Sequence, residues 1–202
     1  DQPTIDVLNA LELVASAVGN HEFDQGYDDL VDRVIDGGEN ADFAYLGANV
    51  RLADGSPALQ EYSLHEVEGL TVAVIGVVTE ETPTLVSPDG ITELTFTDPV
   101  EAVNRVAAQL TDGDPANGEA DVIVAEYHEG AGAGLVEGST LEEEVADGGA
   151  FSDIVTKTSA DVDAIFTGHT HKQYAWDAPV PGEDGKTRPI LQTGNYGEFL
   201  GR

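Results

Sequence analysis

Cysteine is absent from the 202-residue chain, which removes disulfides, thiolate metal sites and cysteine nucleophiles together. Any metal would have to be held by imidazole, carboxylate or amide groups. Basic side chains are scarce: eight Lys plus Arg stand against 39 Asp plus Glu, a formal net charge of -31. Such a surface repels nucleic-acid backbones and anionic lipid, although salt screens the repulsion within about 8 Å at physiological ionic strength. Solubility, or adaptation to a salty or extracellular setting, is the ordinary reading of that excess. An anionic ligand would need bound cations to neutralise it, because there are few basic groups to do so. Aromatics make up only 6%. No run approaches the roughly 18 to 20 apolar residues of a membrane span, and Asp1-Gln2-Pro3 shows no secretory leader.

What is present is an ordinary globular composition, 41% hydrophobic. Its pattern alternates helical and strand-like segments. Helices are expected at 4–13, with Ile5, Leu8 and Leu11 on one face, at 27–35 ended by Gly37-Gly38, at 98–110 with Asp98 as cap and Pro99 at the first position, and at 151–159. Strands are expected at 15–18, 43–50, 121–125, 162–166 and 189–192. A hairpin of 61–67 and 70–78 should turn at Glu68-Gly69. Segments 111–120, 129–140 and 178–188, rich in Gly, Pro and Asp, read as exposed loops. Strands separated by helices imply an α/β layered fold, and the hairpin makes the sheet mixed.

Four of the five histidines share one kind of place. His21, His128, His169 and His171 each follow a short apolar strand where it gives way to a Gly-containing loop, whereas His65 sits inside a strand and reads as structural. In open α/β sheets, ligands bind beyond the carboxyl ends of the strands. In Gly19-Asn20-His21-Glu22-Phe23-Asp24, the Asn20 amide can offer a neutral oxygen to a hard cation, and His21 paired with Asp24 can donate a proton or steady developing charge. Taken singly, Asn20 reads equally as a helix cap and His21 as a merely exposed side chain. His128 suits a neutral imidazole ligand. His169 and His171, two apart in extended conformation, would point the same way, towards one metal or two adjacent ones, with Gly168 letting the backbone come close. Each motif alone has a bland alternative; three strands delivering histidines to one rim form a convergent cluster far more specific than any one of them.

These motifs, in this order, resemble the calcineurin-like metallophosphoesterases, most closely the bacterial 5'-nucleotidase and UDP-sugar hydrolase branch. The resemblance rests on Gly-Asn-His-Glu-Phe-Asp-Gln-Gly at 19–26, His-Glu-Gly-Ala at 128–131, Gly-His-Thr-His at 168–171 and Gln-Thr-Gly-Asn-Tyr-Gly at 192–197. It implies a four-layer α/β/β/α sandwich with mixed sheets and a centre of two divalent ions, zinc, manganese or similar. Asn20, His128 and His169 would bind one metal and His171 the other, and His21 with Asp24 would form the catalytic dyad. A water activated by both metals would then hydrolyse nucleotide phosphate esters.

The family pattern begins with an Asp-x-His strand and a Gly-Asp strand whose aspartate bridges the metals, and neither occurs before Asn20. Residues 1–202 are therefore expected to be a catalytic domain truncated at both ends, without the C-terminal domain that holds the nucleoside, and with one partial metal site. Unpaired sheet edges would favour self-association or a complementary segment. The resemblance further implies a nucleotide or other small phosphate ester as ligand, no nucleic acid partner, and an extracellular, periplasmic or cell-surface location. Rival readings are a UDP-sugar hydrolase or cyclic-nucleotide phosphodiesterase, and, in another class, an inactive metal-binding or partner-binding module.

Overall fold

The computed structural model describes residues 2–201. Helix α1 (Gln2–Ala10) buries Ile5 and leads to strand β1 (Ala15–Ala17). The helix stops before the expected residue 13, because Glu12 turns into the left-handed region at φ 57°. Leu11 is consequently rotated off the buried face and is 72% exposed. Helix α2 (Tyr27–Asp29) continues as a π-helical turn over Leu30–Ile35 that buries Leu30 and Val34, and Asp36 and Gly37, both at positive φ, end it.

The strand expected over 43–50 divides in two. Strand β2 (Ala44–Leu46) pairs in parallel with β1, while β3 (Val50–Leu52) pairs antiparallel with β6 (Leu94–Phe96). Between them the buried Asn49 side chain imitates a strand backbone: its amide donates to Val78 O at 2.7 Å and its oxygen accepts from Val78 N at 3.0 Å. That exchange satisfies the backbone of Val78 without a continuous partner strand.

Strands β4 (Tyr62–Val67) and β5 (Leu70–Val78) form the expected hairpin. Glu68 and Gly69 both have positive φ, as a two-residue hairpin turn requires. After the short helix α3 (Thr82–Leu85), helix α4 (Pro99–Gln109) is capped by Asp98, whose carboxylate accepts from Glu101 N at 2.9 Å. Strand β7 (Val122–His128), helices α5 (Leu141–Ala146) and α6 (Gly149–Lys157), and strands β8 (Ala164–Thr167), β9 (Gln173–Pro179) and β10 (Thr187–Thr193) complete the chain. Strand β9 and helix α5 lie outside the expected elements, and residue 188, expected in a loop, lies in β10. Arg188 is 2% exposed there, donating to the carbonyls of Thr158, Ser159 and Val162.

The main sheet has six strands in the order β4-β5-β7-β8-β10-β9. Strands β5, β7, β8 and β10 are mutually parallel and the two edges are antiparallel, so the sheet is mixed. Alternate residues of β5, β7, β8 and β10 (Ile75, Ile123, Tyr127, Ile165, Ile190) pack under α4 and α6. On the opposite face the β1–β2 ribbon lies over β5, where Ala15 and Leu46 meet Val74. The approach is close enough that a Cβ on Gly76 would fall 2.5 Å from Leu46 Cβ and 2.9 Å from Ala17 Cα. Beside the main sheet, the described residues form two two-stranded pairs, β1–β2 and β3–β6, rather than a second full sheet. Further along the same face, Phe166 of β8 is 41% exposed.

Candidate functional site

The candidate residues reach one rim because three strands end there. Strand β1 runs into Gly19 and a 3-10 turn, Asn20–Phe23; β7 ends on His128; β8 ends at Thr167 and is followed by Gly168, His169, Thr170 and His171. In a parallel sheet the backbone groups beyond the last rung are free of ladder partners, so polar side chains gather at that end.

Asn20 and His128, 108 residues apart, meet directly: Asn20 Oδ1 lies 3.0 Å from His128 Nε2. Asn20 is 4% exposed. The His169 ring stands beside that of His128, centroids 5.1 Å apart. Burial, and then the neighbouring His169, His21 and His171 rings, pull His128 down to about 4, so its imidazole is neutral at physiological pH. A neutral imidazole is the form that ligates a metal.

The arrangement depends on a glycine that the sequence alone does not single out for this purpose. A Cβ on Gly19 would sit 2.5 Å from His128 Cε1 and 2.8 Å from both ring nitrogens. The backbone of Gly19, at φ -102° and ψ 177°, would suit any residue, so it is the imidazole that excludes a side chain. Gly168, by contrast, has only ordinary contacts, and close approach is needed instead at Gly130, where a Cβ would fall 2.8 Å from Gly168 O.

His169 and His171 are not extended, contrary to the expectation from their spacing. Both are in the left-handed region, at φ 67° and 60°, and Thr170 N bonds back to Gly168 O at 2.7 Å. The turn gives the two rings different neighbours. His169 faces His128, and His171 lies towards Asn195, 3.5 Å from its amide nitrogen, and Tyr196. Non-glycine residues in this region cost on the order of 1 kcal/mol each and cluster at functional sites.

His21 and Asp24 form a pair, Nδ1 to Oδ2 at 2.9 Å, with side chains 74% and 47% exposed. Beneath them Glu22 accepts from Gly19 N at 2.6 Å, and burial pushes its carboxyl upward against that hydrogen bond. A cavity of about 560 Å³ opens beside the pair, lined also by Ile5, Arg33 and Tyr45. Neither His128 nor His169 lines it, so it borders the outer side of the pair. His65, placed in β4, bonds to Ser63 Oγ at 2.8 Å, away from the cluster.

One further carboxylate escapes the sequence reading. Glu126 lies two residues before His128 along β7 and so projects from the same face; its Oε2 accepts from Ala17 N at 2.7 Å. Burial pushes Glu126 up to about 7, opposed by that hydrogen bond. A lone charged residue within Ile-Val-Ala-Glu-Tyr-His is the signal that could have revealed it.

Asn20, His128 and His169 fit the donor set of one cation: a neutral amide oxygen and two imidazoles, the first two already in contact. Among the described residues no three His, Asp or Glu side chains gather closely enough to hold a metal ion, so the Asn20 amide is needed to complete even this set.

The family described as calcineurin-like phosphoesterase matches residues 4–173. An endonuclease of Bacillus subtilis, YhcR, is 31% identical over 212 residues, spanning 100% of this chain and 16% of its own length. A 5'-nucleotidase of Vibrio vulnificus is 28% identical over 214 residues, spanning 100% of this chain and 36% of its own. A 5'-nucleotidase precursor from Thermus thermophilus superimposes with a TM-score of 0.65 at 25% identity, covering 94% of this chain and 34% of that one. The chain therefore spans well under half of each of these relatives.

Proposed function

Because the chain belongs to the calcineurin-like phosphoesterase family, we propose that it carries part of the catalytic centre of a hydrolase acting on nucleotide phosphate esters, as a 5'-nucleotidase does. The carrying observation is the direct meeting of Asn20 with His128, beside His169, at a rim that also holds the His21–Asp24 pair. In this reading Asn20, His128 and His169 hold one divalent ion and His171 belongs to a second position. Members of the family use divalent metals, and such an ion would supply the positive charge and Lewis acidity that a phosphate ester requires.

The chain's own residues have definable tasks. Neutral His128 keeps a lone pair available for ligation, and Gly19 leaves room for its ring. His21, oriented by Asp24 and open to solvent, is placed to stabilise the transition state or to protonate a leaving oxygen. The two-cation activation of water implied by the resemblance would use His171 for the second ion, and the described residues gather no three His, Asp or Glu side chains at one point. A second reading, favoured by that shortage, is a module that binds one ion or a partner without turnover.

The endonuclease relative raises a polymeric substrate, but a net charge of -31 favours a small phosphate ester over a polyanion. Support for self-association, or for a complementary segment, comes from β1, which has β2 as its one strand partner among the described residues, and from the exposed Phe166. An extracellular, periplasmic or cell-surface setting belongs to the same proposal.

The test is hydrolysis of AMP, UDP-glucose, a generic phosphodiester and linear DNA with added manganese, cobalt or zinc, by this chain and by a longer chain containing it. We expect AMP turnover in the longer chain, lost in His21→Ala and reduced in Asp24→Asn. Turnover of AMP that survives His21→Ala would sink the dyad. Calorimetry finding no bound metal ion in this chain would remove the single-ion assignment.

A further inference from the structure

We infer that Glu126 is a positioning residue: its carboxylate grips the amide of Ala17 and thereby sets where Asn20 stands against His128. The inference rests on the metal-centre reading of Asn20 and His128 and adds a residue that reading does not use.

The two halves of the site are carried by different layers. Asn20, His21 and Asp24 belong to the exit of β1, in the ribbon, whereas His128, His169 and His171 belong to the exits of β7 and β8, in the main sheet. The segment just past β2 is tied to the main sheet by Ala48 N to Gly76 O at 2.7 Å and by the Asn49–Val78 exchange, whereas β1 meets that sheet largely through the apolar contacts of Ala15, Leu46 and Val74, and dispersion contacts have little directionality. A hydrogen bond does have direction. Among the described residues, two hydrogen bonds join β1 and its exit to the main sheet: Ala17 N to Glu126 Oε2 at 2.7 Å, and Asn20 Oδ1 with His128 Nε2 at 3.0 Å. The second lies within the site and would be given up when both groups turn to a metal. The first then remains as the direct polar tie between β1 itself and the main sheet, beside the indirect tie that runs through β2.

Its placement suits that task. Ala17 is three residues before Asn20 and Glu126 two residues before His128, so the bond is one short step behind the meeting point on both strands. The Ala17 amide faces away from β2 and has no strand partner on that side, so without Glu126 it would be an unsatisfied donor in a partly buried place. The clearance it maintains is small: the position a Gly19 Cβ would take is 2.5 Å from His128 Cε1, so a slip of about an ångström would push the ring aside or open the contact. A merely solubilising carboxylate would not need to lie between layers, and an apolar residue there would pack at lower desolvation cost.

The experiment compares the whole chain with Glu126→Gln, which keeps an acceptor oxygen, and Glu126→Leu, which does not. Three quantities are read: the thermal midpoint, the metal-free nuclear Overhauser contact between Gly19 Hα and His128 Hε1, and manganese(II) affinity by calorimetry. We expect Glu126→Leu to shift the thermal midpoint by only a few degrees, because the orphaned Ala17 amide and the relieved desolvation of the carboxylate oppose each other, while it weakens the Overhauser contact to below half and lowers manganese affinity about tenfold, the lower range for loss of a group that orients ligands. Glu126→Gln should restore both. Wild-type contact and affinity in Glu126→Leu would overturn the inference, as would their loss in step with the thermal midpoint. Should the unmodified chain bind no manganese, the metal reading fails, yet the Overhauser contact still decides the role of Glu126. If Glu126→Leu does not fold, Glu126→Met supplies the same comparison with a more adaptable side chain.

Discussion

At the scale of single residues, the site is made as much by what is missing from a side chain as by what is present. Gly19 does not need its glycine for backbone reasons, since φ -102° and ψ 177° are open to alanine. It needs it because His128 occupies the space. Gly19→Ala should therefore destabilise by about 1–2 kcal/mol, as overpacking does, and lower turnover of the metal-loaded longer chain about 100-fold, the scale of an ångström misplacement. Kinetics beside a melting curve check this, and a variant with normal turnover would show that the ring moves aside at no cost. His169 offers a second expectation. Its φ of 67° suits Asn better than Ala among replacements, so His169→Asn should retain stability within about 0.5 kcal/mol while His169→Val loses about 1–2 kcal/mol more, measured by urea unfolding. Much of this site was legible in the sequence, because imidazoles after apolar strands have few structural uses. The rest was not. Which glycine faces which ring, and that Glu126 reaches the Ala17 amide 109 residues away, are facts of tertiary approach with no local signature.

At the scale of elements, caps and periodicity located α4, α6 and the β4–β5 hairpin to within a few residues, for the reason that their signals are local: Asp98 before Pro99, and Glu68-Gly69 between apolar arms. Asp98→Ala removes the acceptor for Glu101 N and should cost about 1 kcal/mol, read as a shift in the urea midpoint at constant slope. The elements that escaped prediction were fixed by distant partners. The strand expected over 43–50 breaks because Asn49 is committed to Val78, and β9 forms because β10 offers it a full antiparallel ladder from Thr193↔Gln173 to Thr187↔Pro179. Arg188 reads as a loop residue in the sequence, yet it satisfies three carbonyls at the end of α6 and the approach to β8. Arg188→Met should destabilise by about 2–3 kcal/mol, since it strands buried acceptors; a loss below about 0.5 kcal/mol would mean that water replaces the guanidinium.

At the scale of the whole molecule, charge and layering dominate. With 39 acidic against eight basic residues, self-repulsion opposes the compact state. Raising salt from roughly 0.1 M to 1 M shortens the screening length from about 10 Å to 3 Å, and the thermal midpoint should climb over that interval. A flat or falling curve in a salt series would show that the carboxylates are spaced too widely to matter. The eight basic side chains limit the attraction available, and among the described residues Glu61 takes two of them, Arg51 and Arg105, so screening removes little attraction while it relieves much repulsion.

The division of the site between ribbon and sheet also coincides with a division along the chain. Asn20, His21 and Asp24 precede the exposed, polar connection around residues 112–117, and His128, His169 and His171 all follow it. A single backbone cut in that connection would leave two polypeptides, each carrying ligands that are useless alone. In the proposed reading, their main route back to a shared cation is for β7 to rejoin β5 along the seven-residue register from Val72↔Val122 to Val78↔His128. Metal binding in such a split protein would then be second order in the two fragments, so that the centre serves as a reporter of their reassembly.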